Sequence, residues 1–217
     1  MKFTRILVLL ALTALPAAAQ APKNFAPHAM VAAANPLAAA AGLEMLKAHG
    51  SAVDAAIATQ LVLNLVEPES SGIGGGAFML VYDPQAKKTT SFDGREVAPQ
   101  SARPDMFLDA NGQPRAHFDP IPGGLSVGIP GVIGMLELAH DKYGKLPWAR
   151  LFEPAIRIAE NGFPIGPKLA RTIAGAARMK NMPDIARMFY HPDGSPMKEG
   201  EILKNPELAQ TFSVLAK

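Results

Sequence analysis

Two stretches of this sequence carry residues whose type and spacing bear on chemistry. In Ser70-Ser71-Gly72-Ile73-Gly74-Gly75-Gly76-Ala77, glycine fills four of the five positions 72–76. The run matches the dinucleotide fingerprint G-x-G-x-x-[GA] letter for letter. That fingerprint holds a pyrophosphate only where a strand leads into the glycines and a helix leaves them, because the anion rests on the helix N-terminus. Here the order predicted from the flanking residues is reversed, with a helix before and a strand after. A phosphate loop would also need Gly-Lys-Ser/Thr, and Gly76 is followed by Ala-Phe-Met. What remains for such a turn is positive φ, close passage of two backbones and, where these meet a cavity, the wall of a site.

The second stretch is Asp93-Gly94-Arg95-Glu96-Val97-Ala98-Pro99. An arginine leaving a buried strand beside a glycine is placed to grip a carboxylate through two parallel hydrogen bonds. The same arginine could instead form a structural ion pair with Glu96 or Asp93, and the local residues leave both roles open.

Other chemistry-bearing residues carry less. Thr89-Thr90 could supply a hydroxyl nucleophile, but a threonine gains that power from its own free α-amine, and these two lie mid-chain. As β-branched residues they suit a strand. The histidines at 28, 49, 117, 140 and 191 have no H-E-x-x-H or similar spacing, and no G-x-S-x-G elbow occurs. Asp184, His191 and Asp193 read as a solvent-facing polar loop, and the methionines of 179–188 as packing.

Several elements must position these residues. His28–Ala34 reads as a strand or strand end. Asn35 caps a helix with Pro36 at its first position, and Gly50 closes it. Ser51-Ala52-Val53-Asp54 is a capping box that opens a second helix, apolar on most faces and interrupted by Asp54, Gln60 and Asn64, which Pro68 ends. Residues 77–83 and 88–94 form a hairpin about Pro84–Lys87. Consecutive apolar residues in its first strand predict cover on both faces, hence a sheet between other layers. A short helix is expected at 104–109, then a glycine- and proline-marked connection, then helices over 131–144, 147–162, 167–180 and 206–217.

The bulk composition narrows the class. A chain of 217 residues with 48% hydrophobic and 18% charged residues is globular. At the N-terminus Lys2 and Arg5 precede the apolar run ILVLLALTAL and the small residues Ala17-Ala18-Ala19, the order of a secretory signal over 1–19, too short to span a bilayer. Removing its two cations leaves 19 basic against 19 acidic side chains, which gives no electrostatic drive toward nucleic acid or an anionic membrane. The absence of cysteine rules out disulfides and thiolate chemistry.

The segments from Met30 through Asp83, then DGREVAP and PDMFLD, then residues 126–163, together resemble the γ-glutamyltransferase (γ-glutamyltranspeptidase) family, in order and over about residues 26–217. The resemblance implies an α+β, N-terminal-nucleophile hydrolase scaffold of αββα layers, here its large-subunit part over residues 20–217. It implies a precursor that cuts itself in two. The new N-terminal threonine of the small subunit, in a Thr-Thr-His context, then attacks the γ-glutamyl amide of glutathione or related compounds, and water or an amino acid accepts the acyl group. No metal or organic cofactor is implied. Arg95 matches the family arginine that holds the α-carboxylate of the γ-glutamyl group, and Glu96 beside it is the second candidate substrate-binding residue.

The match departs from the family where Thr89-Thr90 is followed by Ser91 rather than His, so the nucleophile is expected from a small-subunit polypeptide outside this chain and no catalytic residue is assigned within it. The expectation is an exported, periplasmic or secreted protein without a stable membrane anchor, inactive until that partner is supplied. A glutaryl- or cephalosporin-type acylase on the same scaffold, and a non-catalytic remnant or binding module, are the alternatives.

Overall fold

The computed structural model describes residues 26–117, 119–121 and 123–217, of which Val31–Lys217 make up one compact unit. The secretory signal expected at 1–19 lies outside the described residues. No helix among the described residues is long and apolar enough to cross a membrane.

Helix α1 (Pro36–Lys47) starts as its residues dictate: the Asn35 side chain accepts from the Leu37 amide, with Pro36 in the first turn. Its end differs from the expectation. The Gly50 amide bonds to the Met45 carbonyl and the His49 amide to that of Leu46, a Schellman closure. The residue in the left-handed region is His49, at φ 63°, not Gly50. Gly50 is instead needed for space, since a Cβ there would lie 2.8 Å from both Leu146 Cδ1 and the Met45 carbonyl.

Helix α2 (Ala52–Val66) opens on the capping box, with both Ser51 and Asp54 side chains in place. It is buried on most faces and packs along α1. Helices α3 (Val132–Tyr143) and α4 (Trp148–Asn161) follow, the latter continuous through Pro154. Then come α5 (Pro167–Gly175), α6 (Pro183–Phe189) and α7 (Pro206–Leu215). Asp184 therefore lies on a helix, not in the expected loop. The expected helix over 167–180 stops at Gly175 and continues as a 3-10 turn over Ala177–Asn181.

Strands β1 (Ala77–Asp83) and β2 (Lys88–Gly94) form an antiparallel hairpin in register from Ala77↔Gly94 to Asp83↔Lys88. A second, two-residue pairing joins β3 (Phe163–Pro164) to β4 (Ile202–Leu203). The core gathers Met45, Ile57, Leu61, Leu136, Leu151, Phe152 and Phe212 between the helices. Trp148, Phe152 and Phe212 meet edge to face along its α4–α7 side.

Three further expectations are corrected. His28–Ala34 forms no strand, for none pairs with it among the described residues; Val31 instead packs against α1, where a Cβ on Gly42 would lie 3.0 Å from Val31 Cγ1. Residues 104–109 form turns, because Leu108 pairs with Pro114 and the Asp109 carboxylate accepts from the Asn111 and Gln113 amides, which closes a loop instead of a second helical turn. Those amides, Gln113 foremost, hold the Asp109 carboxyl below the ordinary aspartate range.

The third concerns β1. Met79, Val81 and Phe92 face α3 and the core, whereas Phe78, Leu80 and Tyr82 on the opposite face are 69%, 75% and 63% exposed. Among the described residues, one face of the hairpin is covered, not both.

Candidate functional site

Three chain segments cross at the open end of the hairpin: the turn from α2 into β1, the end of β2 with Arg95–Val97, and the stretch leading into α3. The Gly131 and Val132 amides both donate to the Gly75 carbonyl, at 3.1 and 3.3 Å. Val97 and Ile129 exchange a pair of backbone hydrogen bonds, 3.3 and 2.9 Å. The helix-then-strand order around the glycines is therefore real, and the turn is tied to backbone on its far side.

The four glycines divide into two pairs. A Cβ on Gly76 would lie 2.5 Å from Glu96 Oε2 and 2.6 Å from the Gly94 carbonyl, and one on Gly75 would lie 3.4 Å from Glu96 Oε1. A Cβ on Gly72 or Gly74 would meet nothing within 4 Å. None of the four adopts a left-handed φ, contrary to the sequence expectation. Close passage explains Gly76, while Gly72 and Gly74 face open space.

That space is a cleft of about 470 Å³, lined by Gln60, Ser70, Ser71, the glycines and Glu96. Its size suits a small-molecule site, and its walls are backbone and short polar side chains. Arg95 follows β2 directly, its amide donating to Asp93 Oδ1 at 2.8 Å. The Arg95 side chain is 71% exposed, and its guanidinium lies 3.4 Å from Glu96 Oε2. Glu96 Oε2 is itself buried, with no hydrogen-bond partner among the described residues. An adjacent cation and anion, one exposed and one lining the cleft, form a charge pattern complementary to a zwitterion.

Arg95 and Glu96 are thus brought together, Glu96 against the cleft and Arg95 within ion-pair distance of it. Thr89 and Thr90 are strand residues; Thr90 Oγ1 shares a 2.8 Å hydrogen bond with the Tyr143 hydroxyl, which ties the hairpin to α3. The sequence pattern did not assign Gln60, Ser70 or Ser71 to a site. Gln60 had a visible signal, as a polar interruption four residues before Asn64 in an apolar helix. The serines had none, because their place depends on how the loop returns over α2.

Comparison with known proteins agrees with this geometry. The gamma-glutamyltranspeptidase family model matches residues 38–217. A glutathione hydrolase proenzyme of Bacillus subtilis is 46% identical over 186 residues, which is 86% of this chain and 32% of that protein. The chain therefore spans about a third of the length of that curated relative. Among solved structures, Helicobacter pylori gamma-glutamyltranspeptidase superposes with a TM-score of 0.84 at 30% identity, over 90% of this chain and 56% of that one. A cephalosporin acylase from Bacillus halodurans does so with a TM-score of 0.71 at 32% identity, over 91% of this chain and 39% of that one. Helices packed on a partial antiparallel sheet are what this α+β, N-terminal-nucleophile hydrolase fold looks like when only part of it is present. By motif, fold and the residues matched, the chain belongs to the gamma-glutamyltranspeptidase family.

Proposed function

We propose that residues 20–217 are the substrate-anchoring, N-terminal portion of an exported γ-glutamyltransferase or glutathione hydrolase, made with a secretory signal at 1–19 and active only with further polypeptide. The observation that carries this reading is the exposed Arg95 guanidinium beside Glu96 at the glycine-walled cleft. Arg95 grips the α-carboxylate of a γ-glutamyl group through two charge-assisted hydrogen bonds. Glu96 orients the arginine through their ion pair, and its carboxylate, at the cleft wall, meets the α-ammonium.

The reaction needs a nucleophile that this chain does not provide. A threonine hydroxyl on the partner polypeptide adds to the γ-carbonyl carbon, and its free α-amine takes the hydroxyl proton. The amide C–N bond breaks, the amine leaves with a proton, and a γ-glutamyl ester remains. Water or an amino-acid amine then cleaves that ester. The role of Arg95 and Glu96 is to hold the glutamyl end so that its γ-carbon meets the attacker. The open face of β1 at Phe78, Leu80 and Tyr82 supports the same division of labour, since an apolar face of this kind calls for covering polypeptide.

Cephalosporin-type acylation is the second reading, favoured by the acylase superposition. A glutaryl group presents a terminal carboxylate without an α-ammonium, so Glu96 meets no substrate cation and keeps only Arg95. The chain, expressed with the coding sequence that follows codon 217, is tested against a γ-glutamyl anilide and a glutaryl anilide. Turnover of the first, absent from residues 20–217 alone, supports the proposal. Preference for the second favours the acylase, and an absence of any downstream Thr-Thr-His reading frame supports a non-catalytic module.

A further inference from the structure

The wall of the cleft is fastened from two sides. On the α2 side, Gln60 Nε2 donates to Ser71 Oγ at 2.8 Å and to Asn64 Oδ1 at 2.7 Å, and Ser71 Oγ donates to Asn64 Oδ1 at 2.7 Å. On the α5 side, Lys168 Nζ donates to Glu67 Oε2 at 2.9 Å and Ser70 Oγ at 2.7 Å, and lies 3.4 Å from Glu69 Oε1. The Glu67 and Glu69 side chains are only 11% and 13% exposed, so their negative charges are less screened by water than the charge of the half-exposed Lys168 side chain. One ammonium faces both.

The anchor is itself rigid. Leu169 and Ile173 of α5 are buried, and the Tyr190 hydroxyl donates to the Ile173 carbonyl at 2.9 Å. Ser70 and Pro68, between or beside the clamped carboxylates, both line the cleft. A contact about a hundred residues away in sequence therefore ties the segment before the glycine wall to α5.

We infer that Lys168 is a positioning residue for the cleft, fixing residues 67–71 so that the glycine wall meets bound substrate at a set distance. The hydrogen bond to Glu67, then the charges of Glu67 and Glu69, hold the Lys168 ammonium above the ordinary lysine range, so it stays charged at neutral pH. The effect on substrate rests on the proposed γ-glutamyl reading; the effect on the wall does not.

The test compares Lys168→Met, which keeps the stem, with Lys168→Arg, which keeps the charge. In the chain itself, amides of residues 69–76 exchange with solvent about 3- to 10-fold faster in the Met variant and recover in the Arg variant, while those of α1 and α2 do not change. In the chain joined to its downstream polypeptide, KM for a γ-glutamyl anilide rises by about the same factor with kcat within about twofold, again restored by arginine. Unchanged exchange at 69–76 overturns the clamp. Faster exchange with unchanged KM overturns its role in positioning substrate. If the wild-type assembly has no γ-glutamyl turnover, the functional reading fails, and the exchange comparison alone decides the clamp.

Discussion

The helical body and the hairpin end of this chain are finished to different degrees. Around α1, α2, α4 and α7, apolar side chains meet other apolar side chains, and the helix starts at Asn35, Ser51 and Asn205 are capped by side chains. The fully buried Asp54 carboxylate accepts from the Ser51, Lys145 and Leu146 amides and so ties the start of α2 to the α3–α4 connection. At the hairpin, one face is open, Glu96 Oε2 has an ion-pair neighbour but no hydrogen-bond partner among the described residues, and Arg95 is exposed. Among the described residues one buried polar atom in each region lacks a hydrogen-bond partner, Asn64 Nδ2 on α2 and Glu96 Oε2 at the cleft, so what sets the hairpin end apart is its open apolar face and its exposed cation. A two-stranded sheet is marginal alone, so the helical body carries the hairpin through the face that packs on α3.

The largest effect is expected in the finished region. Asp54→Ala removes the acceptor of three backbone amides at a fully buried position, and should cost about 3–5 kcal/mol. Denaturant unfolding of the chain measures it; a loss below about 1 kcal/mol would mean that the body is not held together at this joint.

The next test contrasts the two glycine pairs. Gly76→Ala drives a methyl group against the Gly94 carbonyl and Glu96, and should destabilise by about 1–3 kcal/mol. Gly74→Ala meets only open space and should change stability by less than about 1 kcal/mol, in either direction. Thermal melts of the pair sharpen the distinction between packing glycines and cleft glycines; equal losses would erase it.

The smallest effect on the chain itself belongs to its open face. Leu80→Lys, at a position 75% exposed, should leave the unfolding free energy within about 0.5 kcal/mol. The same change should block assembly with covering polypeptide in co-expression and gel filtration. Normal assembly would show that this face is not the one that is covered.

Local chemistry made much of this legible in advance. The Asn35-Pro36 start, the Ser51–Asp54 box and both strands of the hairpin are set by residues within a few positions of each other, and the sequence pattern placed them correctly. It failed elsewhere. Side-chain bonding within a few residues, the Asp109 carboxylate to the Asn111 and Gln113 amides, closed a loop where the pattern read as a helix. At the end of α1, His49 takes the positive φ, while Gly50 makes room for Leu146 from a distant part of the chain. The apolar run of β1 signalled burial on both sides, but among the described residues only one face is covered. Arg95 and Glu96 could be picked out as a candidate pair from their motif. The polar wall of Gln60, Ser70 and Ser71, and its tie to Lys168, required the fold.

The central claim is that the Arg95 guanidinium receives a substrate carboxylate. It is tested most directly by steady-state kinetics of Arg95→Lys in the chain joined to its downstream polypeptide, with a γ-glutamyl anilide as substrate. Replacing a two-bond, charge-assisted grip by a single ammonium should lower kcat/KM by about 10- to 150-fold, equivalent to about 1.5–3 kcal/mol, without shifting the melting temperature. Wild-type kcat/KM in that variant would contradict the account and reduce Arg95 to the structural partner of Glu96.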